Sequence, residues 1–310
     1  MLTRRMVILA KQETTYGTDP AMTGANAILA YDVDLDIKGE VLERSVLRDS
    51  LSPMPHVIGM KECVLNFKTE LKNCGIAPSL PEMGVLLTGC GFDTGVVSGT
   101  TVIYSLVSAE TSLNSVSFLI QKDGNSHKIL GSRGSAKFSL EAGKYGVGEF
   151  SFQGIYDPVG SLAMTDIIGL HTNKPPIVYN SSFNLAGFSP VCSKLEIDLG
   201  NTIARRESLN ATYGVAGFRI TDRKPTMNFD ADAVVESSNP FWGDWSGHIV
   251  DTFNITIGSS AGNTVKFNGI FQYESHKYGD QDGVAKYDCK SRLVSSDANT
   301  QNDELKITVS

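Results

Sequence analysis

Five histidines, five cysteines and 34 carboxylates are the side chains from which this 310-residue chain could build a catalytic or metal site. His56, His127, His171, His248 and His276 show neither H-x3-H nor H-E-x-x-H spacing, so no two imidazoles are set up to share a zinc ion. Cys63, Cys74, Cys90, Cys192 and Cys289 are odd in number, scattered and without a Cys-x-x-Cys pair, which reads as buried free thiols. There is no G-x-x-x-x-G-K-[ST] loop and no G-x-S-x-G elbow. Gly146-Val-Gly148 joins two strand patterns with no helix behind it, so it is a turn rather than a nucleotide cradle. The expectation is a protein that is not an enzyme, with no catalytic residue, no metal and no cofactor.

What remains is chemistry of surfaces. The net charge is −7 and no run of Lys or Arg exceeds a pair, so the footprint of a tight duplex binder is missing. Arg4-Arg5 and Arg205-Arg206 read as solvated or ion-paired positions. Asp32, Asp34 and Asp36 alternate with aliphatic residues, as do Asp230 and Asp232 with Ala231, which gives one sheet face a hydrated, negative character. No apolar run approaches the roughly 20 residues of a membrane span, and the apolar run within residues 1–10 is short for a secretion signal. Synthesis in the cytoplasm and no membrane partner are expected.

The elements that must carry these faces repeat along the chain. Lys61-Glu-Cys-Val-Leu-Asn-Phe-Lys-Thr-Glu-Leu71 reads as a half-buried strand with Cys63, Leu65 and Phe67 inward. Lys224-Pro-Thr-Met-Asn-Phe-Asp-Ala-Asp-Ala233 echoes it at an offset of 162 (228 − 66), with Met227, Phe229 and Ala231 inward. Gly39 and Arg44 match Gly200 and Arg205 at 161, and Lys128 with Gly131 match Lys266 with Gly269 at 138. The fall places about 24 extra residues in the first copy, over residues 92–114. Tandem duplication is the reading.

Ser79-Leu-Pro-Glu82 has the form of a capping box ahead of a short helix ending at Gly91, and Asn239-Pro240 opens its counterpart. Asp123-Gly124 is a hairpin turn between Val116–Ile120 and Lys128–Leu130. Residues 47–57, with Pro53 and Pro55, form a long loop carrying Leu51, Met54 and Val57 outward. The domain reading is an N-terminal extended arm over 1–30, a first domain over 31–158, a linker over 159–178 containing Pro175-Pro176, and a second domain over 179–310.

Lys11-Gln-Glu-Thr-Thr-Tyr-Gly-Thr-Asp-Pro20, the strand with Leu65-Asn-Phe-Lys-Thr-Glu70, the helix ending Leu86-Leu-Thr-Gly-Cys-Gly91 and the Gly-rich closing strands resemble major tail tube proteins of long-tailed, siphovirus-like bacteriophages. The resemblance implies a mainly β fold of two tandem tail-tube-like β-sandwich or split-barrel domains, each with one short flanking α-helix. It implies a structural virion protein that stacks in rings to form the conduit for DNA ejection. Its partners would be other copies of itself, the tape measure protein, terminator and tip proteins, and viral DNA passing without specific binding. With a duplicated domain the simplest ring is a homotrimer with pseudo-sixfold symmetry.

Carried onto this chain, the resemblance puts inter-ring contacts at Arg48, Leu51 and Met54 and at Leu209 and Tyr213. The arm, residues 3–20, would be anchored by Tyr16. Glu62, Lys68, Glu70, Asp230 and Asp232 would face the lumen. The alternative is an adhesive or carbohydrate-binding β-sandwich of a tail tip or fibre, for which Trp242 and Trp245 are the candidate platforms.

Overall fold

A computed structural model describes residues 2, 4–75, 80–98, 100–297 and 299–310. The first half runs β1 (Met6–Gln12), β2 (Ala27–Ile28), β3 (Ala30–Leu42), β4 (Val57–Glu70), α1 (Gly84–Gly89), β5 (Val96–Ser98), β6 (Thr101–Ser105), β7 (Val116–Lys122), β8 (Asn125–Glu141) and β9 (Val147–Tyr156). The short β10 (Gly160–Ser161) leads out of it. The second half runs β11 (Ser182–Leu185), β12 (Lys194–Asp198), β13 (Asn201–Glu207), β14 (Val215–Arg223), β15 (Thr226–Asp232), α2 (Phe241–Ser246), β16 (Val250–Ile257), β17 (Val265–Gln281), β18 (Val284–Leu293) and β19 (Leu305–Val309).

Alternation builds these strands. Along β4, Cys63, Leu65 and Phe67 are buried while Val64, Asn66 and Lys68 are half-exposed, so one face faces the core and the other water. Phe67 stacks on Phe150 and Phe152 of β9 at ring distances of 5.8 and 6.1 Å. Leu86 and Leu87 of α1 close the core from one side. Asp123 and Gly124 take positive φ in the β7–β8 turn, as the Asp-Gly signal requires.

The antiparallel pairings follow the same order in each half. In the first, β3 pairs with β4, β4 with β9, β9 with β8, β8 with β7 and β7 with β1. In the second, β12 and β13 pair with β15 and β14, β15 with β18, β18 with β17, β17 with β16 and β16 with β11. Adding 162 converts Leu35↔Leu65 into Ile197↔Met227, Gly39↔Lys61 into Asn201↔Arg223 and Val41↔Ile58 into Ile203↔Ile220. The last step crosses a bulge present in both hairpins, so 162, rather than 161, is the offset across the whole hairpin. Between α1 and β7 lie β5 and β6, whereas α2 reaches β16 through residues 247–249 alone.

The halves share a 17-stranded sheet. Lys194–Asp198 of β12 pairs with Lys137–Glu141 of β8, from Lys194↔Glu141 to Asp198↔Lys137. The C-terminal β19 pairs with β17 on one side and with β6 of the first half on the other. Residues 162–173 are strapped to the first half: the Gln121 side chain donates to Ala163 O and accepts from Thr165 N, and Lys72 Nζ donates to His171 O.

Two sequence expectations are corrected. Residues 6–12 of the expected arm are β1, hydrogen-bonded to β7 and to β2, with Val7, Ile8, Leu9 and Ala10 buried. Burial on both faces explains the continuous apolar run, because Met164 and Leu170 cover the outer one. Ser79 lies outside the described residues, and Glu82 does not cap α1. The Glu82 carboxylate accepts from His171 N, while the N-cap of α1 is Met83, which makes no side-chain cap.

The Lys11–Pro20 motif is a clasp. The buried Glu13 carboxylate accepts from Ser115 Oγ, Ser117 Oγ, Gly17 N and Gly131 N. Tyr16 Oη donates to Gly131 O at 2.9 Å and accepts from Phe218 N at 2.7 Å, with the Arg133 guanidinium 5.4 Å from its ring centre. The first half is thereby pinned to β14 of the second. A Cβ on Gly131, which has φ +58°, would sit 2.9 Å from the Tyr16 ring, so only glycine fits under it. Glu13→Gln turns an amide donor toward these N–H and O–H groups, and should lose about 3 kcal/mol of stability in denaturant unfolding. A loss below about 1 kcal/mol would contradict the clasp.

Candidate functional site: an assembly surface

Because successive side chains of a strand point to opposite faces, burying one face of β4, β9, β8, β12, β15 and β18 forces their polar residues onto the other. Glu62, Lys68, Glu70, Asp230 and Asp232 all stand on that face, across both halves. Asp34 and Asp36, already read from sequence as part of a negative face, join them from β3, and Glu196 and Asp198 from β12.

The face is ion-paired rather than simply acidic. Lys68 Nζ lies 3.4 Å from Asp32 and from Glu149, and Lys137 Nζ 3.1 Å from Glu196 across the junction of the halves. Glu62 meets Arg205 at 3.2 Å, Glu70 meets Lys72 at 3.9 Å, and Asp232 meets Lys286 at 3.8 Å. Asp230 is the most tied: it accepts from Ser193 N, Ser193 Oγ and Lys194 N and lies 3.0 Å from Lys286 Nζ. Burial alone would raise its carboxyl, but Ser193, Lys286 and Lys194 outweigh that and hold it below the ordinary carboxylate value.

The two hairpins end differently. Between β3 and β4, residues 43–56 have no regular structure, and Leu47 and Leu51 are fully exposed. Arg48 folds back, its guanidinium donating to Ser52 O and lying 3.3 Å from Met54 Sδ. Between β13 and β14 the loop is short. Leu209 is fully exposed, but Tyr213 packs on Tyr156 at 5.4 Å and beneath Lys61 Nζ at 4.8 Å. Tyr213 is thus engaged with the first half of its own chain, as Tyr16 is with the second.

The remaining candidates have structural partners. His276 is buried, with Nε2 3.1 Å from Phe241 O and Nδ1 3.3 Å from Cys289 Sγ, and burial pushes its pKa down. Burial pushes the Cys63 thiol up to about 12 and raises Cys90 and Cys289 as well, which leaves these thiols protonated and unreactive. Trp242 is packed against Tyr278, His276 and Tyr287, and Trp245 Nε1 donates to Glu274 O. They make an aromatic cluster rather than a flat platform. Among the described residues no three His, Cys, Asp or Glu side chains converge as a metal site, and no helix is long and apolar enough to cross a membrane.

A family model described as phage tail tube protein matches residues 3–239, from ahead of β1 to just before α2. No curated protein matches the chain.

The Asp230 network carries a pH signature. A carboxyl held low in the folded chain stabilises it fully above the unfolded value of 3.8, and that contribution is lost as pH falls through the folded value. Thermal midpoints should therefore drop more steeply below about pH 4 for the native chain than for Asp230→Asn. Parallel acid limbs for the two proteins would contradict the network.

Proposed function

The chain belongs to the phage tail tube protein family, and from that premise we propose that three copies close a ring of six quasi-equivalent tube domains. It is a structural protein of the virion tail that assembles with itself into a tube. The finer reading takes residues 31–158 and 179–310 as tandem domains, with 159–178 as the strap between them. The observation that carries it is the repeated pairing order, held in one register across the whole long hairpin and its bulge.

In this reading the polar face lines the lumen, with Glu62, Lys68, Glu70, Asp230 and Asp232 toward the channel. A face of hydrated, mutually paired charges offers passing DNA neither a basic track nor an apolar one, which suits a conduit for ejection. Leu51 and Leu209 at the two hairpin tips are the contacts to the next ring, since large apolar side chains left in water mark interaction surfaces. Arg48 and Met54 shape the first loop from within. Tape measure protein in the lumen and terminator and tip proteins at the ends complete the partners.

Electron microscopy of the purified chain at high concentration, with tubes classified end-on, tests this. Hollow tubes with threefold rings of six lobes are expected. Rings of six chains, or dispersed monomers that never polymerise, would contradict it. Leu51→Asp with Leu209→Asp should leave the folded chain intact and shorten the tubes to isolated rings.

A further inference from the structure

We propose that the junction between the two halves of one chain is also the template for the junction between chains, residue by residue. This rests on the ring reading above. The outer edge of β12 is occupied by the last residues of β8. The equivalent edge of β3 has β4 on one side and no partner on the other among the described residues, and residues 277–281 of β17 have β18 alone. An edge of free N–H and C=O groups is a template for another strand, and here each half lacks what the other supplies.

The register follows from the pairings. Lys137↔Glu149 in the first half corresponds to Lys277↔Asp288 in the second, an offset of 140 for this part of β8 (277 − 137). Together with 162 for β12, the internal pairs Ile197↔Phe138 and Asp198↔Lys137 become Leu35↔Tyr278 and Asp36↔Lys277 between chains. Chemistry agrees at both. Ile197 and Phe138 are buried against each other, whereas Tyr278 is 69% exposed and Leu35 half-exposed. Lys137 faces Asp198 and pairs diagonally with Glu196, and Lys277 would meet Asp36 and Asp34 in the same two positions.

The far end of the hairpin points the same way. Val41 and Ile58, 55% and 44% exposed, are the counterparts of Ile203 and Ile220, which are half-buried where β13 and β14 lean on the first half. The occupant of the β3 edge is therefore the β17 tip of a second copy of this chain. Such a contact is head-to-tail, and its repetition closes a ring when the rotation between copies is a whole fraction of a turn.

Charge reversal and cross-linking test the register. Lys277→Glu, or Asp34→Lys with Asp36→Lys, should abolish tubes without changing the thermal midpoint of the monomer, and the three changes together should restore them. Leu35→Cys combined with Tyr278→Cys should give disulfide-linked oligomers from assembled tubes, whereas Leu35→Cys with Gln281→Cys should not. The native Cys63, Cys74, Cys90 and Cys289 are buried, and the half-buried Cys192 is changed to Ser (Cys192→Ser) in both pairs so that it does not compete. Tubes that link 35 to 281 but not to 278 would overturn the register while leaving the tube function standing. A native chain that never forms tubes would overturn the function and this junction together.

Discussion

A β-strand edge exposes a row of hydrogen-bonding groups that must be paired, blunted or used. The organisation of this chain follows from how it spends its edges. Inside the chain, β12 is placed against β8 and β19 against both β17 and β6, so the two halves share one sheet instead of packing as separate bodies. Among the described residues the outer β3 edge and the β17 tip have no further partner strand, and they carry no proline. That pattern suits a protein whose remaining edges are filled by its own copies.

The clasp at residues 11–20 serves the same geometry. A carboxylate as buried as Glu13 is tolerated because four donors converge on it. Its position at the end of β1 fixes the bulged part of β8 at Gly131, and Tyr16 then reaches β14 through the Phe218 backbone. Sheet, bulge and second hairpin are held in one arrangement by two side chains of a single motif. Arg133, sandwiched between the Tyr16 ring and Leu113 O, stiffens the same corner.

Much of this was legible in the sequence because strand parity is local. Leu65, Phe67, Met227 and Phe229 announce their inward face by alternation, and the same alternation sends Glu62, Asp230 and Asp232 to the other one. The hairpin turn at Asp123-Gly124 was legible because its signal is local too. Residues 6–10 were not, since burial on both faces erases alternation and leaves a bare apolar run. The engagement of Tyr213 with Tyr156, and of β12 with β8, joins residues more than 50 positions apart, and no local pattern encodes a long-range pairing. Glu82 misled through its spacing: a residue in capping position was recruited by the strap at His171.

Amide hydrogen exchange on monomer and tube tests the central claim most directly, namely that the chain-to-chain contact repeats the contact between the halves. In the monomer the amides of β12 should be protected, whereas the alternate amides of residues 33–37 of β3 and 277–281 of β17 that point away from β4 and β18 should exchange rapidly. In tubes both segments should slow to the level of β12 and the end of β8. Tubes in which β3 and the β17 tip exchange as fast as in the monomer would contradict the account.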